Sequence, residues 1–180
     1  MKVRVQASYD QTPVGAALAL IPRPLLERVP FRLHCGVDPV FAGLHESEAE
    51  LPSGWRCRDI AHFLVPGSAL DERDAPGVIV LPDGLDYLYC GDAVGAIVHE
   101  FAHAVEAVVG YFRNWPAISD YARTLPAVEA FAVAFQHYLV PNLGTWPGAP
   151  VGPEAAREAI GRDCLEMLER TLSGRWEFGV

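Results

Sequence analysis

Up to about residue 90, apolar and polar positions alternate in short runs; beyond that, apolar positions recur at helical spacing. Lys2 to Ala7 alternates and predicts a strand. Pro13, Pro22, Pro24 and Pro30 leave room only for short helices, over 14–20 and 24–29. Phe31 to Cys35 alternates again and predicts a second strand. Residues 36–55 read as loop, and their acidic run Glu46, Glu48, Glu50 reads as a solvated face. Residues 58–65, with His62, predict a further strand. Gly77 to Leu81 is the clearest strand: short, β-branched, and bracketed by Pro76 and Pro82. The prolines suit an edge position. An ordinary core strand is the competing expectation.

The second half predicts helices. Asp92 is a good N-cap and Gly110 a good C′ residue, so the apolar run between them is one helix. Residues 111–125 read as a polar and aromatic connection. A helix is expected over 126–140, with Pro126 near its first turn and Pro141 just past its end. The Pro- and Gly-rich stretch 142–153 reads as loop. Residues 154–172 predict one amphipathic helix whose apolar members are Ile160, Leu165, Met167, Leu168 and Leu172. Strands early and helices late give an α+β layout. The 180 residues fit one domain, strand-rich over about 1–90 and helical over about 91–180.

Composition narrows the partners. With 51% hydrophobic and 21% charged residues, the chain has the make-up of a folded globular protein. The net charge is −9, and of the 14 basic residues only Lys2 is a lysine. No arginine cluster exists, which argues against nucleic-acid binding. The apolar patch 14–21 is too short for a signal peptide or a membrane span. The expectation is therefore no membrane partner, and a cytoplasmic protein or one exported without a recognisable signal. Cys35, Cys57, Cys90 and Cys164 form no C-x-x-C pair and read as mostly buried thiols of a reducing compartment.

The chemistry concentrates in the first long helix. It carries His99-Glu100-Phe101-Ala102-His103, an H-E-x-x-H pattern. Residues four apart share a helix face, so His99 and His103 present two imidazoles to one point, as a single zinc ion requires. Glu100, one position on, is placed to act on a water at that ion as general base. The flanks are apolar (Val94, Ile97, Val98, Phe101, Val105), so the helix is largely buried. Buried imidazoles and carboxylates need partners, and a metal supplies them; the competing expectation is a pair of satisfied core histidines.

A catalytic zinc takes three protein ligands. No third histidine follows the motif, since position 106 is Glu and position 109 is Val. In 128–135, VEAFAVAF, Glu129 is the one polar residue. A lone carboxylate on an apolar helix calls for a metal or an ion pair, which makes Glu129 the candidate third ligand. A helix-dipole role in its first turn is the alternative. Among the rivals, Glu106 lies one turn beyond His103 and suits a role as partner to a ligand imidazole. His137 is expected near the surface end of its helix, and Asp120 in a loop.

These segments, VHEFAHAVE and SDYARTLPAVEAFAVAF, resemble the catalytic region of the anthrax lethal factor-like metallopeptidases, which include the Pro-Pro endopeptidases. Those gluzincins carry H-E-F-G-H-A-x-[DE], then a Y-x-R-T-like stretch, then E-x-F-A-x-A-F. The likeness covers roughly a third of the chain, about 77–140, with both motifs in order. It implies a zincin-like domain with a small N-terminal sheet, an edge strand over the cleft for extended substrate, and C-terminal helices. It also implies one Zn2+ held by His99, His103 and Glu129, Glu100 as base, and Tyr121 as donor to the oxyanion. Two departures stand out: the family glycine is Ala102 here, and one extra residue falls near Leu125-Pro126.

The activity implied is a zinc metalloendopeptidase acting on a peptide or protein. Two other readings share the motifs: a non-catalytic metal-binding module derived from such a peptidase, and a toxin or effector protease with one dedicated target. The intact Glu100 argues against the first, because a structural zinc needs no base.

Overall fold

The computed structural model describes residues 2–5, 11–35, 62–64, 77–81, 93–110, 114–124, 126–140 and 148–176. Four strands, β1 (Lys2–Val5), β2 (Phe31–Cys35), β3 (His62–Leu64) and β4 (Gly77–Leu81), form one sheet in the order β1-β2-β4-β3. β1, β2 and β4 run parallel, and β3 is antiparallel to β4. Parallel neighbours need a crossover. Between β1 and β2 the described crossover is two short helices, α1 (Thr12–Leu20) and α2 (Arg23–Arg28), each opened by a proline near its N-terminus.

Gly77 to Leu81 is a strand as expected, but not an edge. β4 lies between β2 and β3 and pairs with both. Pro76 and Pro82 fall just outside it, so every residue within β4 keeps its N–H for the ladder and the prolines only end the strand. The described edges are β1 and β3.

Helix α3 (Ala93–Val109) packs against β3, β4 and α1. Asp92, the expected N-cap, lies outside the described residues. Gly110 ends the helix as expected: its φ is 101°, and its N–H donates to the Glu106 carbonyl at 2.9 Å. A side chain there would be strained, which is why glycine suits the position. Residues 111–125 are not all connection, because Asp120–Thr124 forms a one-turn helix, α4. The Ser119 hydroxyl accepts from the Ala122 N–H at 3.0 Å and caps it. Asp120, expected in a loop, opens this turn and pairs with Arg123. Helix α5 (Pro126–Leu139) matches its expected span and packs across α3 and α4.

The last expected helix is two, α6 (Pro153–Ile160) and α7 (Arg162–Leu172). Gly161 between them sits at φ 77° and ψ 156°, a conformation that only glycine adopts easily. Apolar periodicity continues through the break, so the pattern conceals it.

The core runs from the sheet into the helices. Phe31 and Leu33 of β2 are buried and alternate with half-buried Arg32, and Ile79 of β4 is buried beside them. Phe31 meets Phe101 of α3 edge-on at 4.9 Å. Phe101 lies 6.3 Å from Phe135 of α5, and Trp115 meets Phe131 edge-on at 4.9 Å. Each such ring contributes roughly 1.5–3 kcal/mol by burial. Together they fix α3 against both the sheet and α5, and so set the positions of the polar side chains the two helices share. No helix among the described residues is long and apolar enough to cross a membrane.

Candidate metal centre

α3 and α5 bring together the three residues expected as ligands. His99, His103 and Glu129 each offer one ligand atom, and the three atoms lie within 4.8 Å of one another. Glu129 Oε2 is 3.0 Å from His99 Nε2 and 3.7 Å from His103 Nε2. Zinc bonds of about 2.0–2.1 Å in a tetrahedron place ligand atoms about 3.4 Å apart. The two observed separations straddle that value. The helical spacing of four supplies the paired imidazoles, and the first turns of α5 bring the carboxylate to them from the facing helix.

Each imidazole is also held from behind. His103 Nδ1 lies 3.3 Å from Glu106 Oε2, one turn on along α3, as the sequence suggests for Glu106. His99 Nδ1 lies 3.2 Å from Gln136 Oε1 of α5. Sequence reasoning passes over Gln136, although it sits seven residues from Glu129 and therefore on the same face, two turns along. With Nδ1 of both rings engaged in this way, both Nε2 atoms face Glu129.

Electrostatics favours a cation here. Burial works against charge on His103, but hydrogen bonds to Glu106 and Glu129 and the nearby Glu100 charge outweigh it and push the imidazole up to about 10. Burial alone would raise the Glu129 carboxyl, yet its bonds to His103 and His99 hold it well below the usual carboxylate range. Glu106 goes the other way, raised chiefly by burial. Three carboxylates, Glu100, Glu106 and Glu129, thus surround two imidazoles in a buried place. Two imidazoles, one carboxylate ligand and this excess of negative charge fit a divalent ion such as zinc.

Glu100 is buried in α3 beside His99 and forms no side-chain hydrogen bond or ion pair with the described residues. A buried carboxylate without such a bond is costly, and chemistry on a water is the use that the motif offers it. Tyr121 sits half-buried on α4 and packs on the core. Its turn is held by the Ser119 cap and by the Thr124 hydroxyl, which donates to the Tyr121 carbonyl at 2.7 Å. A Cβ on Gly148 would meet the Asp120 carboxylate at 2.5 Å, so the 148–150 segment closes against that same turn.

His137 is not near the surface. It is 1% exposed, and neither ring nitrogen makes a hydrogen bond to a described residue. α6 packs on α5, and its Arg157 lies over the ring of Tyr138, the residue next to His137, 5.7 Å from the ring centroid. Burial, with the nearby His99 charge, lowers His137 to about 4, so the ring stays neutral. Among the described side chains Cys164 is a free thiol; Cys57 and Cys90 lie outside the described residues. The chain matches no protein-family model and no curated protein sequence.

Proposed function

We propose that this chain is a zinc metalloendopeptidase of zincin-like fold. The observation that carries the reading is the meeting of His99 Nε2, His103 Nε2 and Glu129 Oε2 beside a buried Glu100 that forms no ion pair among the described residues. A zinc ion held by these three residues supplies Lewis acidity, which makes water acidic near neutral pH and polarises a carbonyl. Glu100 accepts the proton of the attacking water and then delivers it to the departing amine. Tyr121 donates a hydrogen bond to the oxygen of the scissile carbonyl as its negative charge grows. Glu106 holds His103, so that its Nε2 points inward. The substrate is an extended peptide. β3, antiparallel to its neighbour and at an edge of the described sheet against α3, is the strand with which it pairs by strand addition.

Glu100→Gln tests the reading. Gln is nearly isosteric and keeps the packing but cannot act as base. The variant is expected to bind zinc like the parent and to leave a diverse peptide library uncut where the parent cleaves it in a chelator-sensitive way, as read by mass spectrometry. Equal cleavage by the two proteins, or chelator-resistant cleavage by the parent, rules out the proposed chemistry.

A further inference from the structure

The two ligand imidazoles are backed by unlike acceptors. His103 faces a carboxylate, Glu106, from its own helix at 3.3 Å. His99 faces a neutral amide, Gln136, from the opposite helix at 3.2 Å. Gln136 is 1% exposed, so this contact is shielded from competing water. It also shares a helix face with Glu129, and one side of α5 therefore carries both a ligand and the group that orients another ligand.

An amide oxygen accepts the Nδ1 proton of His99 and so turns the Nε2 lone pair toward Glu129 and His103. A carboxylate would do the same but would also make the ring more basic and a stronger donor to the metal. The difference matters because the centre is already rich in negative charge. Glu106 and Glu129 both act electrostatically on His99, and Glu100 on His103. Two histidines also neighbour His99 among the described residues: His103, its ring centroid 5.1 Å away, and His137, which is neutral. A fourth carboxylate would blunt the pull of the metal on its remaining ligand.

We propose that Gln136 is a positioning residue that fixes the Nδ1–H tautomer of His99 through a neutral acceptor, and so sets both the zinc affinity and the electrophilicity of the centre. The inference rests on the zinc-site reading but not on peptidase activity. Gln136→Leu keeps a similar volume and removes the acceptor; Gln136→Glu keeps the acceptor and adds charge. Competition with a chromophoric chelator gives the zinc dissociation constant of the parent, both variants and Glu129→Ala.

Gln136→Leu is expected to bind zinc about 10- to 100-fold more weakly. Gln136→Glu is expected to bind within a few-fold of the parent or more tightly, and to move the acidic limb of the pH profile of kcat/KM to higher pH. Parent-like zinc binding by Gln136→Leu overturns the proposal. So does a Gln136→Glu variant that fails to recover affinity, since loss in both variants means packing alone. If Gln136→Leu does not fold, Gln136→Glu decides the matter, and zinc binding weakened in it by more than a few-fold overturns the idea. Glu129→Ala separates the two readings. If it binds zinc like the parent, the metal-site assignment itself falls; if it loses zinc while Gln136→Leu does not, only the role of Gln136 falls.

Discussion

At the scale of single residues, the site was legible where a side chain stood out against its surroundings. Glu129 is such a residue, a carboxylate in an otherwise apolar stretch, and its place between two imidazoles explains it. Gln136 gave no such signal: it is uncharged, and its meaning depends on which way α5 faces α3. Tyr121 is the residue whose role is the most exposed to test. Its turn carries a cap, a hydroxyl bond and the close approach of Gly148, more fixing than a plain connection needs. If the hydroxyl serves the oxyanion, Tyr121→Phe removes that bond and little packing. The turnover number is then expected to fall roughly 10- to 1000-fold, with KM less affected because the donor acts on charge that grows in the transition state. Zinc content should stay at the parent level. Parent-like turnover in Tyr121→Phe, with impairment in Tyr111→Phe or Tyr138→Phe, would assign the hydroxyl to another tyrosine.

At the scale of elements, periodicity located helices and strands but not their neighbours. The spans of β2, β4 and α5 follow from alternation, apolar runs and flanking prolines. Whether β4 is an edge depends on where β3 docks, and that information lies in long-range pairing rather than in the strand itself. His137 shows the same limit, since its burial depends on what packs on α5 and not on the helix's own sequence. That burial has a consequence for pH. The ordinary His value is 6.5 and the folded value is lowered to about 4, so the unfolded chain binds the extra proton between these limits. Stability from this group is therefore present above pH 6.5 and is lost as the pH falls towards 4, by about 3 kcal/mol in full. The raised His103 works the other way: its contribution is complete only below pH 6.5, so acidification from pH 7 adds a little stability, and it does so equally in parent and variant. His137→Phe gives up no hydrogen bond to a described residue. Denaturant titrations at pH 7 and pH 4 should show the parent losing about 3 kcal/mol more than this variant on acidification; equal losses would mean that His137 is not held neutral.

At the scale of the whole molecule, the centre is a clasp between two closely packed helices. α3 reaches the sheet through Phe31 and its contacts with β3 and β4, while α5 packs on α3 and reaches α4 and α6. Apolar rings already join α3 to α5 on one side. On the other side the junction is polar, two imidazoles and a carboxylate, and without a metal it relies on the buried His103 cation between acidic groups. Such an arrangement costs desolvation and gives back little unless its geometry is ideal. A metal that binds only the folded chain changes this, adding RT ln(1 + [L]/Kd), about 2.7 kcal/mol at a free concentration 100 times Kd. For a chain of this size that corresponds to a rise in Tm of about 5–10 °C. Thermal unfolding with free zinc buffered at that level should show the rise in the parent, its reversal by chelator, and its absence in Glu129→Ala. Glu100→Gln should show it in full, because Glu100 is no part of the clasp. A shift of equal size in Glu129→Ala would place the stabilising zinc elsewhere on the molecule. A shift missing from Glu100→Gln would make that carboxylate part of the metal's hold on the fold, not a base kept free for water.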